Sequence, residues 1–216
     1  MPSRRSVLSA IPTLGLACAL ALTGCGGGEE DHTAGHVASV SSSANEGPYA
    51  GREIADGQPR PDFVLTDQDG AEFAFAQETA GTPTLLFFGY ANCPDICPTT
   101  MADVALALKS VPDEVAAQTQ VVFATTDPAR DTPEFLGNYL ARFDQGLPNR
   151  FVGLTGSQAA VEAAQSAAGV PLAESNGEMH ATSLLLFGAD DVARVMFSAG
   201  DTSAEIAQDL ELIATS

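Results

Sequence analysis

The chain of 216 residues is poor in positive charge, in histidine and in cysteine. Its 9 lysines and arginines face 28 aspartates and glutamates, for a net charge of −19. So acidic a surface cannot neutralise phosphates, which excludes nucleic acid as a partner and electrostatic docking on anionic lipid. It suits solubility and leaves room for attraction of cations or a basic partner. The N-terminal apolar stretch, Ala10 to Leu22, is interrupted by Pro12 and Gly15 and is too short to span a bilayer. No internal repeat is visible.

That stretch instead reads as an export signal over residues 1–24. Arg4 and Arg5 give the positive start, and Leu22-Thr23-Gly24-Cys25 closes it with small residues and a cysteine. Leu-Thr-Gly-Cys resembles a bacterial lipobox, which would make Cys25 a lipidated residue and place the protein on the extracytoplasmic face of the cell membrane. Ser3 to Leu8, with its paired arginines, resembles a twin-arginine signal. Loss of Arg4 and Arg5 takes the net charge from −19 to −21. Residues 25–58 read as the lipidated cysteine and a tether. Gly26 to Gly28, Glu29 to Asp31 and Ser39 to Asn45 offer too little apolar surface to offset ordering entropy. His32 and His36 lie in it, four apart, and suit either weak metal scavenging or a solvated linker.

Cysteine is the scarce residue that matters. Cys18 leaves with the signal and Cys25 is assigned to lipid, so Cys93 and Cys97 are the remaining pair and no other disulfide framework is possible. Outside the cytoplasm an unprotected pair tends to oxidise. Either something keeps it reduced or its oxidation is part of the function.

Residues 59–216 are one domain's worth of chain. Phe63 to Leu65 and Glu72 to Phe75 flank Asp67-Gln68-Asp69-Gly70 as a hairpin. Thr84 to Tyr90 and Gln120 to Thr125 read as buried strands. Helices are expected over Pro98 to Leu108, after the Thr132 cap to Phe143, from Ser157 to Ala168 with Gly169 as the stop, and from Ser203 onward. Phe151 to Leu154 is a short strand. Ala181 to Phe187 and Val192 to Phe197 form a second hairpin. Buried strands alternating with helices imply an α/β domain: a thioredoxin-like fold, with a central mixed sheet, flanking helices and added hairpins.

Open α/β sheets bind ligands beyond the carboxyl ends of their parallel strands. The Cys93 loop leaves the Thr84 strand at that edge, and Asp127 leaves the Gln120 strand there. His180, the one histidine of the domain, precedes a strand expected to be antiparallel and so starts at the same edge. Cys97 precedes Pro98 at a helix start, where N–H groups favour a thiolate. Two thiolates and an imidazole suit Cu(I), or Cu(II) with a further ligand, and zinc is compatible by ligand type. The other account is a redox dithiol. Against that account stand the three residues between the cysteines and the absence of proline in Met179-His180-Ala181-Thr182. Met179 offers a thioether or simple packing. Asp127 is a weak ligand, a supporting acceptor or a turn residue before Pro128. Arg130 and Asp131 are expected to pair, and Tyr90 to shield the site or pack. A peroxidase reading lacks its Pro-x-x-x-Thr-x-x-Cys arrangement before Cys93.

Phe88-Gly89-Tyr90, Cys93-Pro94-Asp95-Ile96-Cys97-Pro98-Thr99, Asp127-Pro128-Ala129-Arg130-Asp131-Thr132-Pro133, Leu154-Thr155-Gly156 and His180 together resemble the Sco/SenC family. The resemblance covers the globular domain in order. It implies a membrane-anchored, thioredoxin-like copper chaperone for cytochrome c oxidase, with Cys93, Cys97 and His180 as copper ligands. It implies delivery to the dinuclear copper site of oxidase subunit II, with exchange with other extracytoplasmic copper carriers. The runner-up activity is thiol–disulfide reduction of the subunit's cysteines before metallation. Ala91, Thr125-Thr126 and the Met179 and Ala181 flanks of His180 depart from the family's usual residues without removing a ligand.

Overall fold

The computed structural model describes residues 47–172 and 183–214. Within them lies one eight-stranded sheet ordered β1-β8-β7-β4-β5-β6-β2-β3. At its centre β4 (Thr84–Gly89) runs parallel to β5 (Gln120–Thr125), which runs parallel to β6 (Val152–Thr155). On the other side β7 (Leu184–Phe187) is antiparallel to β4, and β8 (Val192–Phe197) is antiparallel to β7. The hairpin of β2 (Val64–Asp67) and β3 (Glu72–Ala74) joins β6 in antiparallel pairing. This is the mixed sheet with two added hairpins expected of the sequence.

Side-chain alternation along β4 divides the core in two, because successive strand residues face opposite ways. Leu85 and Phe87 pack with α2 (Ile96–Ser110), α4 (Pro133–Leu140) and α6 (Ser203–Ala214). Leu86 and Phe88 pack on the other face with α5 (Gln158–Ala167) and with Phe63 and Phe75. Burying each such side chain contributes roughly 1.5–3 kcal/mol. Thr132 and Ser157 cap α4 and α5 as their sequences predict, accepting from Phe135 N at 3.3 Å and Ala160 N at 3.2 Å. Gly169 stops α5 at a positive φ of 61°.

The folded part begins earlier than the tether boundary at 58 implies. Arg52–Pro59 forms β1, antiparallel to β8, with its register shifted between Glu53 and Gln58. Asp56 and Gly57 there adopt φ values of 63° and 67°, so the extra residues bulge out of the ladder. The segment just before β1 is fastened by buried Asp209 of α6, which accepts from Ala50 N and Gly51 N, both at 2.8 Å. Two short helices, α1 (Phe75–Glu78) and α3 (Asp113–Gln118), also go beyond the expected elements. α4 stops at Leu140 rather than Phe143.

One boundary bears on chemistry. α2 starts at Ile96, not Pro98, so Cys97 is its second residue and Pro98 its third. Proline fits there because N–H groups of the first turn have no partner within the helix. No helix among the described residues is long and apolar enough to cross a membrane.

Candidate metal centre

β4 delivers the cysteine loop to the carboxyl edge of the sheet. Phe87 of β4 lies opposite Leu184 of β7, so the antiparallel strand starts at that same edge. Thr126 holds the β4 end from the neighbouring strand, with its N–H donating to Gly89 O at 2.6 Å. Cys93 N donates to Tyr90 O at 3.2 Å, which turns the chain back toward α2. Cys97 N, in the first turn of α2, then donates to Cys93 Sγ at 3.4 Å. Both cysteines are free thiols.

The two sulfurs are unequal. Cys93 is half-buried, while Cys97 is fully enclosed in the α2 side of the core. Cys97 occupies space that Gly89 leaves vacant: a Cβ at Gly89 would lie 2.9 Å from Cys97 Sγ. Burial opposes a thiolate at Cys93. The backbone N–H groups of Cys97 and Asp95 and the side chains of Cys97 and Tyr90 outweigh it, so the Cys93 thiol lies below its ordinary value. Burial pushes the Cys97 thiol far up, and the nearby charges of Cys93 and Asp131 add to the rise. Of the two, Cys93 therefore gives up its proton the more readily, and Cys97 the less.

The loop is fixed from beneath by Asp131, a residue the sequence reading paired with Arg130. Its Oδ2 accepts from Ala91 N at 2.9 Å and from Thr125 Oγ1 at 2.6 Å. Thr155 Oγ1 donates to Asp131 O at 2.9 Å. One buried aspartate thus ties the cysteine loop to the ends of β5 and β6. Asp131 is fully buried, and burial raises its carboxyl above the usual range against the two bonds that lower it. Its Oδ1, like Tyr139 Oη, has no hydrogen-bond partner among the described residues. Arg130 pairs instead with Asp127. Asp127 N donates to Thr125 Oγ1 at 3.0 Å, so the Asp-Pro-x-Arg-Asp turn is one connected bond network.

The structure therefore brings Cys93 and Cys97 together and places Asp127 at the same sheet edge, its carboxylate engaged by Arg130. His180, Met179, Cys25, His32 and His36 lie outside the described residues. Among the described residues no three His, Cys, Asp or Glu side chains are placed to hold a metal ion. The cysteines supply two soft donors on their own, and a third must come from elsewhere. Sequence reasoning missed Asp131 as the anchor of the loop. Its one signal was a second acid in Asp-Pro-x-Arg-Asp, which spacing alone pairs with the adjacent arginine.

Comparison with known proteins identifies the family and agrees with the fold. The SCO1/SenC family description matches residues 52–215, starting where β1 starts. A Stutzerimonas stutzeri protein named for copper binding is 37% identical over 140 residues, covering 62% of this chain and 66% of that protein, just under two thirds of its length. The structure of Bradyrhizobium japonicum ScoI with copper bound superposes with a TM-score of 0.59 at 32% identity, over 73% of this chain and 98% of that one. A SCO1/SenC family lipoprotein from Bacillus anthracis superposes with a TM-score of 0.64 at 25% identity, over 73% of this chain and 96% of that one. With thioredoxin-like sheet, free cysteine pair and a family match over residues 52–215, the chain belongs to the SCO1/SenC family.

Proposed function

We propose that this protein binds copper through Cys93, Cys97 and His180 and helps deliver it to the dinuclear copper site of cytochrome c oxidase subunit II. The observation that carries the reading is the cysteine pair at the first turn of α2, with the Cys97 N–H directed at Cys93 Sγ. Two thiolates suit Cu(I), and a cation is what compensates a second charge at buried Cys97. Support also comes from relatives named for copper binding or solved with copper bound. His180 stands four residues before β7 in sequence and is the one histidine between residues 59 and 216, which supports assigning the imidazole to it. Asp127 then acts through Arg130, as a support of the loop.

The test is titration of the reduced full chain with Cu(I) and with Cu(II). One copper per chain is expected, with a thiolate-to-copper absorption band for Cu(II). His180→Ala weakens binding and moves the band. An unchanged affinity and spectrum in that variant removes His180 from the site, and absence of stoichiometric binding to the wild type removes the function.

A second reading, reduction of oxidase cysteines before metallation, is favoured by the inequality of the two thiols. An accessible, activated Cys93 beside a buried, protonated Cys97 is the arrangement of an attacking and a resolving thiol. Under it, Cys93→Ser abolishes disulfide reduction while His180→Ala leaves it intact.

The remaining elements of the proposal concern placement. Residues 1–24 act as a signal, Cys25 carries lipid, and the chain up to β1 tethers the domain at the extracytoplasmic membrane face. Incorporation of labelled palmitate, abolished by Cys25→Ser, checks the anchor.

A further inference from the structure

A pocket of about 200 Å³ opens beside the cysteine loop. Asp95 and Ile96, between the two cysteines, form one wall, and Thr99, Thr100 and Asp103 of α2 continue it. The opposite wall is Leu184, Phe197, Ile206 and the loop from Ser198 to Asp201. The apolar wall residues Leu184, Phe197 and Ile206 are buried, whereas Ile96 is exposed at the rim. Among the described residues three carboxylates, Asp95, Asp103 and Asp201, line this space, and no lysine or arginine does.

The carboxylates differ in what they already do. Asp201 closes its own loop, accepting from Ser198 N at 2.6 Å. Asp103 is half-buried, and no hydrogen bond or ion pair compensates its charge among the described residues. The three acids are not grouped closely enough to hold one metal ion. They are instead distributed around an apolar recess, which is the complement of an apolar side chain flanked by more than one cation.

We propose that this pocket docks a basic segment of the protein that exchanges copper or electrons with Cys93 and Cys97, an apolar side chain seating beside exposed Ile96 over the buried floor of Leu184, Phe197 and Ile206 while neighbouring lysines or arginines meet Asp103 and Asp95. The inference rests on the exchange function proposed above, since a partner reaching Cys93 must cover the adjoining Asp95 and Ile96. It adds the partner's chemistry, which the cysteines alone do not specify. The chain's net charge of −19 draws such a segment in from a distance, and the pocket gives it a seat.

The test uses a fluorescein-labelled peptide carrying a leucine between two lysines, titrated with the full chain at low ionic strength and followed by anisotropy. Counterparts replace the leucine by glycine or the lysines by glutamates. The lysine–leucine peptide is expected to bind, and both counterparts to bind about tenfold more weakly or not at all. Asp103→Lys is expected to remove the preference, whereas Glu114→Lys, the same charge change on α3, retains most of it. Equal losses in the two variants would make the attraction a property of the overall charge and overturn the pocket, as would equal binding of the glycine peptide. Copper titration of the same proteins keeps the readings apart. Normal copper binding with no peptide preference sinks the docking surface alone, and peptide preference without copper binding sinks the copper function alone.

Discussion

Gly89→Ala tests whether the absence of a side chain at the end of β4 is what seats Cys97. Leu85, Phe87 and Gly89 alternate onto the same face of the sheet, and the α2 side of Gly89 is filled by neighbours. A Cβ there would lie 2.6 Å from Phe87 Cε1, 2.9 Å from Cys97 Sγ and 3.2 Å from Phe123 Cε2. Carbon contacts are comfortable at about 3.5–4.0 Å, so all three neighbours must give way. The two rings are packed on each other at a centroid distance of 5.9 Å, and Cys97 is as fully buried as they are, so relief comes most readily by shifting the exposed residues Pro94 to Ile96 that lead into Cys97 and carry the sulfur with them. Overpacking of this kind costs about 1–3 kcal/mol, and in a chain of this size that lowers the melting temperature by about 2–12 °C. Thermal unfolding of the reduced chain measures the loss, and iodoacetamide labelling measures the displacement of Cys97, which should react faster than in the wild type. A variant that melts with the wild type and shields Cys97 equally well would refute the claim that Gly89 makes the sulfur's place.

Cys93 should be alkylated before Cys97, with a pH midpoint below the ordinary thiol value of about 8.5, because its thiolate is favoured while burial holds Cys97 protonated; mass spectrometry that finds the two labelled in parallel contradicts this. Asp131→Ala leaves Ala91 N and Thr125 Oγ1 buried without their acceptor and should cost about 2–6 kcal/mol at about 1–3 kcal/mol per group, whereas Asp131→Asn keeps an acceptor and should cost less; urea unfolding that ranks the two equally would show the bonds to be unimportant. Asp209 has its carboxyl raised by burial, so the folded state binds its proton more tightly than the unfolded chain does. Its contribution to stability therefore falls as pH rises from the unfolded value of about 3.9 through the raised folded one. Asp209→Asn should flatten the stability–pH curve in that window, and a curve with unchanged slope would assign the dependence elsewhere.

The central strands, the second hairpin and the caps at Thr132 and Ser157 were legible because their signals are local: continuous apolar runs, a Gly-Ala-Asp-Asp turn, and cap residues at fixed offsets. β1 was not. Arg-Glu-Ile-Ala-Asp-Gly-Gln carries one large apolar residue and a bulge, so its two-residue period is broken, and it becomes a strand because β8 offers an unpaired edge and Asp209 fastens the residues before it. The start of α2 was misplaced by two residues because Pro98 reads as a first helical residue when proline fits equally at the third. Asp131 escaped for a different reason. Its role depends on Ala91 and Thr125, which are 40 and 6 residues away, and only the folded sheet brings their donors to one carboxylate.

Gly89 and Asp131 together explain why two cysteines in one short loop behave differently. The vacancy at Gly89 leaves room for one sulfur in the core, and Asp131 fixes the loop backbone so that the other stays half-buried. Cys97 then resists ionising alone, since burial and the Cys93 and Asp131 charges outweigh the Tyr90 backbone bond that favours its thiolate. It can give up its proton in two ways. Bonding to a cation supplies the missing positive charge. Alternatively an external disulfide takes two electrons: Cys93 attacks it, releasing one thiol, and Cys97 then displaces the second thiol to close the Cys93–Cys97 disulfide, so no thiolate is left buried. The copper and redox readings are thus two exits from the same electrostatic constraint, and an oxidised pair is closed to metal until it is reduced. Variants that expose Cys97, such as Gly89→Ala, should weaken both chemistries in parallel, whereas His180→Ala should weaken the copper exit alone.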